Sequence, residues 1–572
     1  MQKNIKYENE ILKSFTNLGF KPRDTQIECI NQILLEFIDN KKENIILSAP
    51  TGSGKSIIGI IVTEVLSVLN NDTNLLKSTI GMHQNVLAEQ YANTFKNNKN
   101  IIQIKGAKNY DCSIMDDTAE HCIFSQLDNM ENGEELKMSH CYSCKFNKLK
   151  QQRNSVNHLI TNYSFIFVDR MVTHQLNPRL CYIWDEAHLL NDVFTEHNAI
   201  FVSQKRLKDF IKDISNYPIS IKTTPDIKKL LSALEKNSVN EKNYLKYIKQ
   251  LNDLYISTTA YFDKEMVNSF RRRELTKIKI LGNLSKKYYN FSCKISDLFS
   301  HMYPHVFDEN TELKEFSIKA IFMGDMFDVL KNSKYNLFMS ATLSEDFIKQ
   351  TMHLDAGKTS YIKLESTFPK ENKNIIFVKP LLNLNYQSMQ KKETTTALKE
   401  AICKIAKFHD GLGESGIVLT PSFAVTELAA EALRKSNLKM TIFEHVRGEQ
   451  GADILTQFKN FTGQGILISP SIFEGVDLPG DLSRFQILVK VPWPNLGDRR
   501  ISLISKEYPK VYKAIALHKL IQGLGRSIRN NTDYATSYIL DQHGLNLLMS
   551  PENVWASEFS ADFVELKSLQ AI

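Results

Sequence analysis

Short runs of consecutive apolar residues, each closing on a polar or glycine-rich turn, alternate along this chain with longer stretches whose apolar positions return every three or four residues. Glu43-Asn-Ile-Ile-Leu-Ser-Ala-Pro-Thr-Gly52 reads as a buried strand entering a glycine-rich turn, and Ile57 to Leu69 continues with helical spacing. Arg179-Leu-Cys-Tyr-Ile-Trp184 ends directly in Asp185-Glu-Ala-His188, and Tyr335-Asn-Leu-Phe-Met339 ends in Ser340-Ala-Thr-Leu343. Open α/β sheets place ligands at the carboxyl ends of such strands. From about residue 376 the alternation resumes, with strands expected at Gly416-Ile-Val-Leu-Thr420, Gly465-Ile-Leu-Ile-Ser469, Phe485-Gln-Ile-Leu-Val-Lys-Val491 and Thr536-Ser-Tyr-Ile-Leu-Asp541, and a helix at Ala424 to Lys435. Two stretches break the pattern. Residues 106–155 have no sustained period, whereas 200–330 are Lys- and Leu-rich with helical periodicity, as in Tyr244-Leu-Lys-Tyr-Ile-Lys-Gln-Leu251. The expectation is an α/β protein: a first α/β domain over 1–105, 156–199 and 331–375, interrupted by an irregular insertion and a helical one, then a second α/β domain over 376–572.

A length of 572 residues is compatible with that division, since domains run to ~100–200 residues each. With 42% hydrophobic and 24% charged residues the composition is ordinary for globular domains, and 23 Gly with 15 Pro leave little for a long flexible linker. The amino terminus, MQKNIKYENEILKSF, lacks the apolar core of a signal peptide, and no run of 18 apolar residues occurs. These features predict a soluble, cytoplasmic protein without a membrane partner. High Lys and Asn usage fits an A+T-rich genome, that of a bacterium or of a virus in its host cell. The net charge of +7 identifies no ligand by itself, but its placement is informative. Lys264, Arg271, Arg272, Arg273, Lys277, Lys279, Lys286, Lys287 and Lys294 against Glu265 and Glu274 put a net +7 into residues 264–294 alone. Such a cluster suits a phosphate backbone, and a solvated helix face is the plain alternative.

Ala49-Pro-Thr-Gly-Ser-Gly-Lys-Ser56 carries the most specific chemistry. Gly52 and Gly54 let backbone N–H groups of the Thr51–Ser53 turn close around phosphate oxygens, Lys55 supplies a point charge, and Ser56 can ligate Mg²⁺. Ala49 stands where the general pattern has glycine. Asp185 can hold Mg²⁺ through water, and Glu186 beside it can orient and deprotonate an attacking water. Upstream, Gln26 has an amide able to read an adenine edge, with Arg23 in support. Near the far end, Gln522-Gly-Leu-Gly-Arg526-Ser-Ile-Arg529 sets two guanidiniums three residues apart, on one face if helical, suited to charge on a transferring phosphoryl group.

Taken in order, Gln26, the 49–56 loop, Asp185-Glu-Ala-His188, Ser340-Ala-Thr-Leu343, Glu474-Gly-Val-Asp477 and the Gln522–Arg529 segment resemble the successive motifs of superfamily 2 helicases, and within them the XPD/DinG branch. Gly106-Ala-Lys-Asn-Tyr-Asp-Cys112 leading into a cysteine cluster, Thr161-Asn-Tyr-Ser164 after it, and Ile472-Phe-Glu-Gly-Val-Asp477 carry the narrower match, which spans about residues 20–545. The resemblance implies two RecA-like motor domains, with an iron-sulfur domain at 106–155 and a helical Arch-like domain at 200–330 inserted in the first. It implies an ATP-dependent DNA helicase, a monomeric motor moving 5′ to 3′ on single strands and opening forked or tailed duplex. Matched by position, the nucleotide site would comprise Gln26, Gly52, Gly54, Lys55, Ser56, Asp185 and Glu186. Arg526, Arg529 and Asp477 would come from the second motor domain, and Ser340 and Thr342 would couple nucleotide state to domain movement. An RNA or DNA–RNA hybrid helicase, and an ATP-gated strand-binding protein without unwinding, are the rival functions.

Of eight cysteines, Cys29, Cys181, Cys293 and Cys403 are scattered, whereas Cys112, Cys122, Cys141 and Cys144 lie within 33 residues. Clustered thiols in a reducing compartment point to metal, and four thiolates suit tetrahedral Zn²⁺ or a [4Fe–4S] cluster. His121 and His140 adjoin cysteines and could substitute in a zinc site; the family resemblance implies the iron-sulfur cluster. Acids fill Asp111 to Glu135, whereas Lys137 to Arg153 is basic and interleaved with Tyr142 and Phe146, a mixture suited to stacking on unpaired bases or to packing over a metal. Gln84, Asn85, Gln90 and Trp493 are further candidate strand contacts.

Overall fold

The computed structural model describes residues 5–50, 52–70, 76–112, 117–122, 144–301, 303–324, 333–366, 368–470, 478, 480–528 and 533–569. The chain falls into two compact units, one of Met1–Ile46, Ser56–Met339 and Ile348–Ser360, the other of Leu47–Lys55, Ser340–Phe347 and Tyr361–Ile572.

In the amino-terminal half, strand β1 (Asn44–Ser48) is buried along its whole length, as an unbroken apolar run covered on both faces requires. Ile45, Ile46 and Leu47 are fully buried, and each such side chain contributes about 2 kcal/mol by leaving water. The chain continues through β2 (Leu76–Met82), β3 (Ile101–Gln103), the short pair β4 (Asp111–Cys112) and β5 (Asp117–Thr118), β6 (His158–Asn162), β7 (Arg179–Asp185), β8 (Ile200–Ser203), β9 (His305–Asn310), β10 (Glu315–Ala320), β11 (Ser333–Ser340) and β12 (Thr359–Lys363). Seven of these form a sheet in the order β12-β1-β11-β7-β2-β6-β3. Its pairs β11/β7, β7/β2, β2/β6 and β6/β3 are parallel. Arg179 anchors the start of β7. Its buried Nη1 donates to the carbonyls of Ser78 (3.0 Å), Val156 (3.0 Å) and Asn157 (2.9 Å), and Nη2 donates to that of Arg153. Removal from water is the cost of this anchor, and it pushes the guanidinium down to about 10.

The insertion at 200–330 is less purely helical than its periodicity predicts. Helices Gln204–Ile214, Ser220–Glu235, Tyr244–Arg271 and Leu275–His301 are present, but its two ends pair in the antiparallel sheet β8-β10-β9. Strands of four to six residues are too short for their period to stand out beside helices of 27 and 28 residues. Phe210 packs on Tyr255 (4.8 Å) and Tyr288 (4.6 Å), joining the first helix to the long pair.

The second unit is built on β13 (Lys373–Leu382), β14 (Gly416–Leu419), β15 (Thr441–Glu444), β16 (Gly465–Ser469), β17 (Phe485–Leu488), β18 (Ala535–Asp541) and β19 (Ser560–Glu565), in the order β15-β16-β14-β17-β18-β13-β19. All its pairs are parallel. Apolar clusters line both faces, one around Phe377, Leu467 and Leu520, the other around Ile402, Ile466 and Ile487. The fold class is therefore the expected one: α/β, with two seven-stranded sheets. Among the described residues no helix is long and apolar enough to cross a membrane.

His197 lies near the end of the helix Leu190–Asn198, just before β8, with its ring 5.8 Å from that of Phe167. Burial, reinforced by the Lys294 cation, pushes its imidazole from 6.5 down to about 4. The folded value lies below the unfolded one, so this contribution is fully present above pH ~6.5 and disappears as pH falls through about 4. The shift corresponds to about 3 kcal/mol. Urea unfolding at pH 7 and pH 4 should show a His197→Gln variant losing about 3 kcal/mol less than wild type over that interval; equal losses would contradict the assignment.

Candidate active site

The loop after β1 is shaped by its own hydrogen bonds. Ala49 N–H donates to the Ser340 carbonyl (2.9 Å) and Ser53 N–H to that of Pro50 (3.2 Å). Gly52 and Gly54 adopt φ of 79° and 81°, the left-handed region where a side chain is strained. Lys55 opens the helix Lys55–Leu69, and its ammonium donates back to the Ala49 carbonyl at 3.3 Å. The first N–H groups of a helix, its dipole and a lysine suit an anion. Ala49 is fully buried and Ser53 nearly so; Thr51 lies outside the described residues.

Asp185 is the last residue of β7, and Glu186 follows in a left-handed conformation (φ 55°, ψ 46°). That geometry costs a non-glycine residue about 1 kcal/mol or more. It aims the Glu186 N–H at Asp185 Oδ1 (3.0 Å) and brings Glu186 Oε2 to 3.4 Å from His188 Nδ1. Ser56, Asp185 and Glu186 line one pocket of about 170 Å³ with Met82, Gln90, Tyr91 and Thr94. A hydroxyl and hard carboxylates in one small pocket suit Mg²⁺, with room for water.

Two tyrosines that the motifs did not single out for a role bind main-chain carbonyls of its lining residues. Tyr91 Oη donates to the Ser56 carbonyl at 2.6 Å, and Tyr163 Oη donates to the Asp185 carbonyl. Burial, then the Asp185 charge and for Tyr163 also that of Glu186, holds both phenols well above 10, so both remain donors.

The other expected nucleotide contacts are placed as follows. Gln26 is buried, and its Oε1 accepts the Arg23 N–H (3.1 Å), capping the helix Asp24–Leu34; Arg23 itself is exposed. Ser340 is buried at the end of β11, with its hydroxyl accepting the Thr342 N–H (3.2 Å). The helix Pro509–Leu524 carries Gln522 in its last turn and stops at Gly525, so Arg526 lies beyond it, buried. The condition for a face shared with Arg529, that the segment be helical, is not met at Arg526. Arg529 and Asp477 lie outside the described residues.

Three of the clustered cysteines can be followed. Cys112 ends β4, Cys122 follows the turn Ala119–His121, and Cys144 caps the helix Lys145–Gln152. Ala119 N–H donates to the Tyr110 carbonyl (2.7 Å), and the Tyr110 ring lies 5.2 Å from that of Phe146, so one backbone bond and one ring contact draw these segments together. Thiols on turns and a helix cap suit a thiolate-bound metal. Among the described residues, however, no three His, Cys, Asp or Glu side chains form a metal-holding group, and Cys141, Tyr142 and His140 lie outside them. Cys29 and Cys181 are buried thiols of the core, Cys29 pushed up to about 12 by burial.

The basic insertion divides. Lys277 pairs with Glu274 (3.5 Å) and Glu265 (3.8 Å), Lys287 with Asp213 (2.8 Å), and Lys294 donates to the His197 carbonyl. Arg271, Arg272 and Arg273 are exposed at the tip of the long helical hairpin. Gln84 and Gln90 are exposed on or beside the helix Asn85–Thr94, while Asn85 is bonded to Asn162 (2.7 Å). In the second unit a groove of about 810 Å³ is lined by Tyr386, Ser422, Lys490, Trp493, Asn495 and Lys519. Trp493 stacks on Tyr512 (5.2 Å, 20°) and packs against the core, whereas Tyr386 is 80% exposed.

Residues 405–549 match the family described as helicase C-terminal domain, and residues 19–224 that described as type III restriction enzyme, res subunit. The probable ATP-dependent helicase MJ0942 of Methanocaldococcus jannaschii is 21% identical over 89% of this chain and 90% of its own length. The ATP-dependent DNA helicase YoaA of Escherichia coli is 22% identical over 76% of this chain and 71% of its own. A solved structure titled XPD helicase covers 95% of this chain and 100% of its own, with a TM-score of 0.62 at 15% identity, a likeness of fold.

Proposed function

Because this chain is an XPD/DinG-like superfamily 2 helicase, of an ATP-dependent helicase family, we propose that it hydrolyses ATP to move 5′ to 3′ along single-stranded DNA and to open forked or tailed duplex. The observation that carries this is the joining of Ser56, at the end of the glycine loop, to Asp185 and Glu186 in one pocket. In this role the loop amides and Lys55 bind the β and γ phosphates, and Glu186 orients the attacking water and takes its proton. Ser56 and Asp185 would hold Mg²⁺, which when bound neutralises charge on the phosphate oxygens. Arg526 and Arg529 answer the charge that develops on the transferring group, and Asp477 and Gln522 serve in binding the nucleotide. A water-activating carboxylate is unnecessary in a protein that uses ATP only as a latch, which favours turnover.

Strand binding is supported by the exposed arginines at the hairpin tip and by the groove holding Tyr386, Lys490 and Lys519, a mixture of cations and an open aromatic face. The cysteine cluster is assigned a [4Fe–4S] centre, with zinc as its rival. Preference for DNA over RNA and the direction of movement rest on the family.

ATP hydrolysis should be stimulated by single-stranded DNA more than by RNA of the same sequence, and Lys55→Ala should lower the stimulated rate by about 10²-fold or more without loss of fold. Equal stimulation by RNA would remove the DNA preference, and stronger stimulation by RNA would move the substrate to RNA; unchanged turnover in Lys55→Ala would refute the site. Replacing Cys141 and Cys144 should bleach visible charge-transfer absorbance of anaerobically purified protein and impair unwinding more than basal hydrolysis. Colourless wild-type protein containing stoichiometric zinc would overturn the iron-sulfur assignment.

A further inference from the structure

We propose that Tyr91 and Tyr163 are positioning residues that together fix the separation of the two residues that would hold magnesium, Ser56 directly and Asp185 through water; this rests on the nucleotide site proposed above. Each phenol donates to the main-chain carbonyl of one ligand residue, Tyr91 to Ser56 and Tyr163 to Asp185. The two come from separate elements, the helix Asn85–Thr94 and the helix Tyr163–Val168, and both are buried, at 3% and 0% exposure.

The elements are themselves joined. Asn162 caps the second helix by accepting the Phe165 N–H on Oδ1 (2.8 Å), and its Nδ2 donates to Oδ1 of Asn85, the first residue of the other helix (2.7 Å). One asparagine therefore locks the two tyrosine-bearing helices to each other. Room for the Tyr163 ring comes from Gly81 on β2. A Cβ there would meet Ile166 Cδ1 at 2.9 Å and Tyr163 Cδ1 at 3.0 Å, so a side chain at 81 would require Ile166 or the Tyr163 ring to give way. Trp184 and Phe167 pack the ring at 5.9 and 6.3 Å. The Thr161-Asn-Tyr-Ser164 motif thereby acquires a physical role, in which its Asn and Tyr hold the end of β7 at a set distance from the start of the helix Lys55–Leu69.

Magnesium makes such a device worthwhile, because it accepts little departure from octahedral geometry at about 2.0–2.1 Å. Loss of either phenol should be felt in the metal-dependent part of nucleotide affinity and not in the part supplied by the loop amides and Lys55. Partners that orient metal ligands are typically worth about 10- to 100-fold in metal affinity.

The test is binding of a fluorescent, non-hydrolysable ATP analogue to the full chain, in EDTA and in Mg²⁺, with Mn²⁺ binding to the analogue complex followed by electron paramagnetic resonance. Wild type should bind in EDTA and more tightly with metal. Tyr163→Phe and Tyr91→Phe should match wild type in EDTA within about twofold, but lose about tenfold or more of the metal-dependent gain and of Mn²⁺ affinity. Full retention of that gain in either variant would overturn the proposal, as would equal loss with and without metal, the signature of a merely structural contact. Wild type that binds no nucleotide at all would instead sink the nucleotide site on which the proposal stands.

Discussion

Parallel strand packing governs where the groups of the phosphate site can stand. In a parallel sheet the carboxyl ends of neighbouring strands emerge at one edge, so loops far apart in sequence meet there without further design. β1 and β7 are separated only by β11, and the loop after β1 leads into the helix that carries Ser56, while Asp185 closes β7. β7 is held at both ends. Arg179 binds carbonyls at its start, and Tyr163 meets the Asp185 carbonyl at its finish. A strand tied in this way can present an adjoining residue in a strained conformation, as it does at Glu186, because the surrounding contacts over-determine that geometry.

Charge is divided by the same logic of burial. Within the insertion, Lys277, Lys287 and Lys294 serve internal pairing, and burial lowers the ammonium of Lys294. The hairpin tip keeps three exposed guanidiniums, whose planar forks suit phosphate oxygens better than point charges do. A net charge counted along the sequence overstates the part of the insertion able to meet a polyanion, because several of its bases hold the fold together.

Much of this was legible in the sequence, and the exceptions have definite causes. The apolar runs at 44–48, 179–184 and 416–419 announced central strands because such strands are buried on both faces and carry no competing polar pattern. The glycine loop and the Asp185-Glu186 pair were readable because phosphate chemistry restricts both residue type and spacing. β8, β9 and β10 were missed, since each has too few residues for its alternation to compete with the long helices between them. The point at which the helix carrying Gln522 ends, at Leu524, was not legible from the spacing of Arg526 and Arg529, because helix boundaries leave little trace in residue spacing. Tyr91 and Tyr163 gave no one-dimensional signal of what they hold, because a phenol that binds a main-chain carbonyl 22 or 35 residues away looks in sequence like any core aromatic.

Everything proposed for catalysis requires the 49–56 loop and the end of β7 to form one triphosphate site. An experimental structure of the chain with a non-hydrolysable ATP analogue and Mg²⁺ puts that requirement to a decisive test. The β and γ phosphates should lie on the amides of the loop, with the metal between the Ser56 hydroxyl and the Asp185 carboxylate. A nucleotide bound elsewhere, or phosphates on this loop with the metal remote from Asp185, would contradict it.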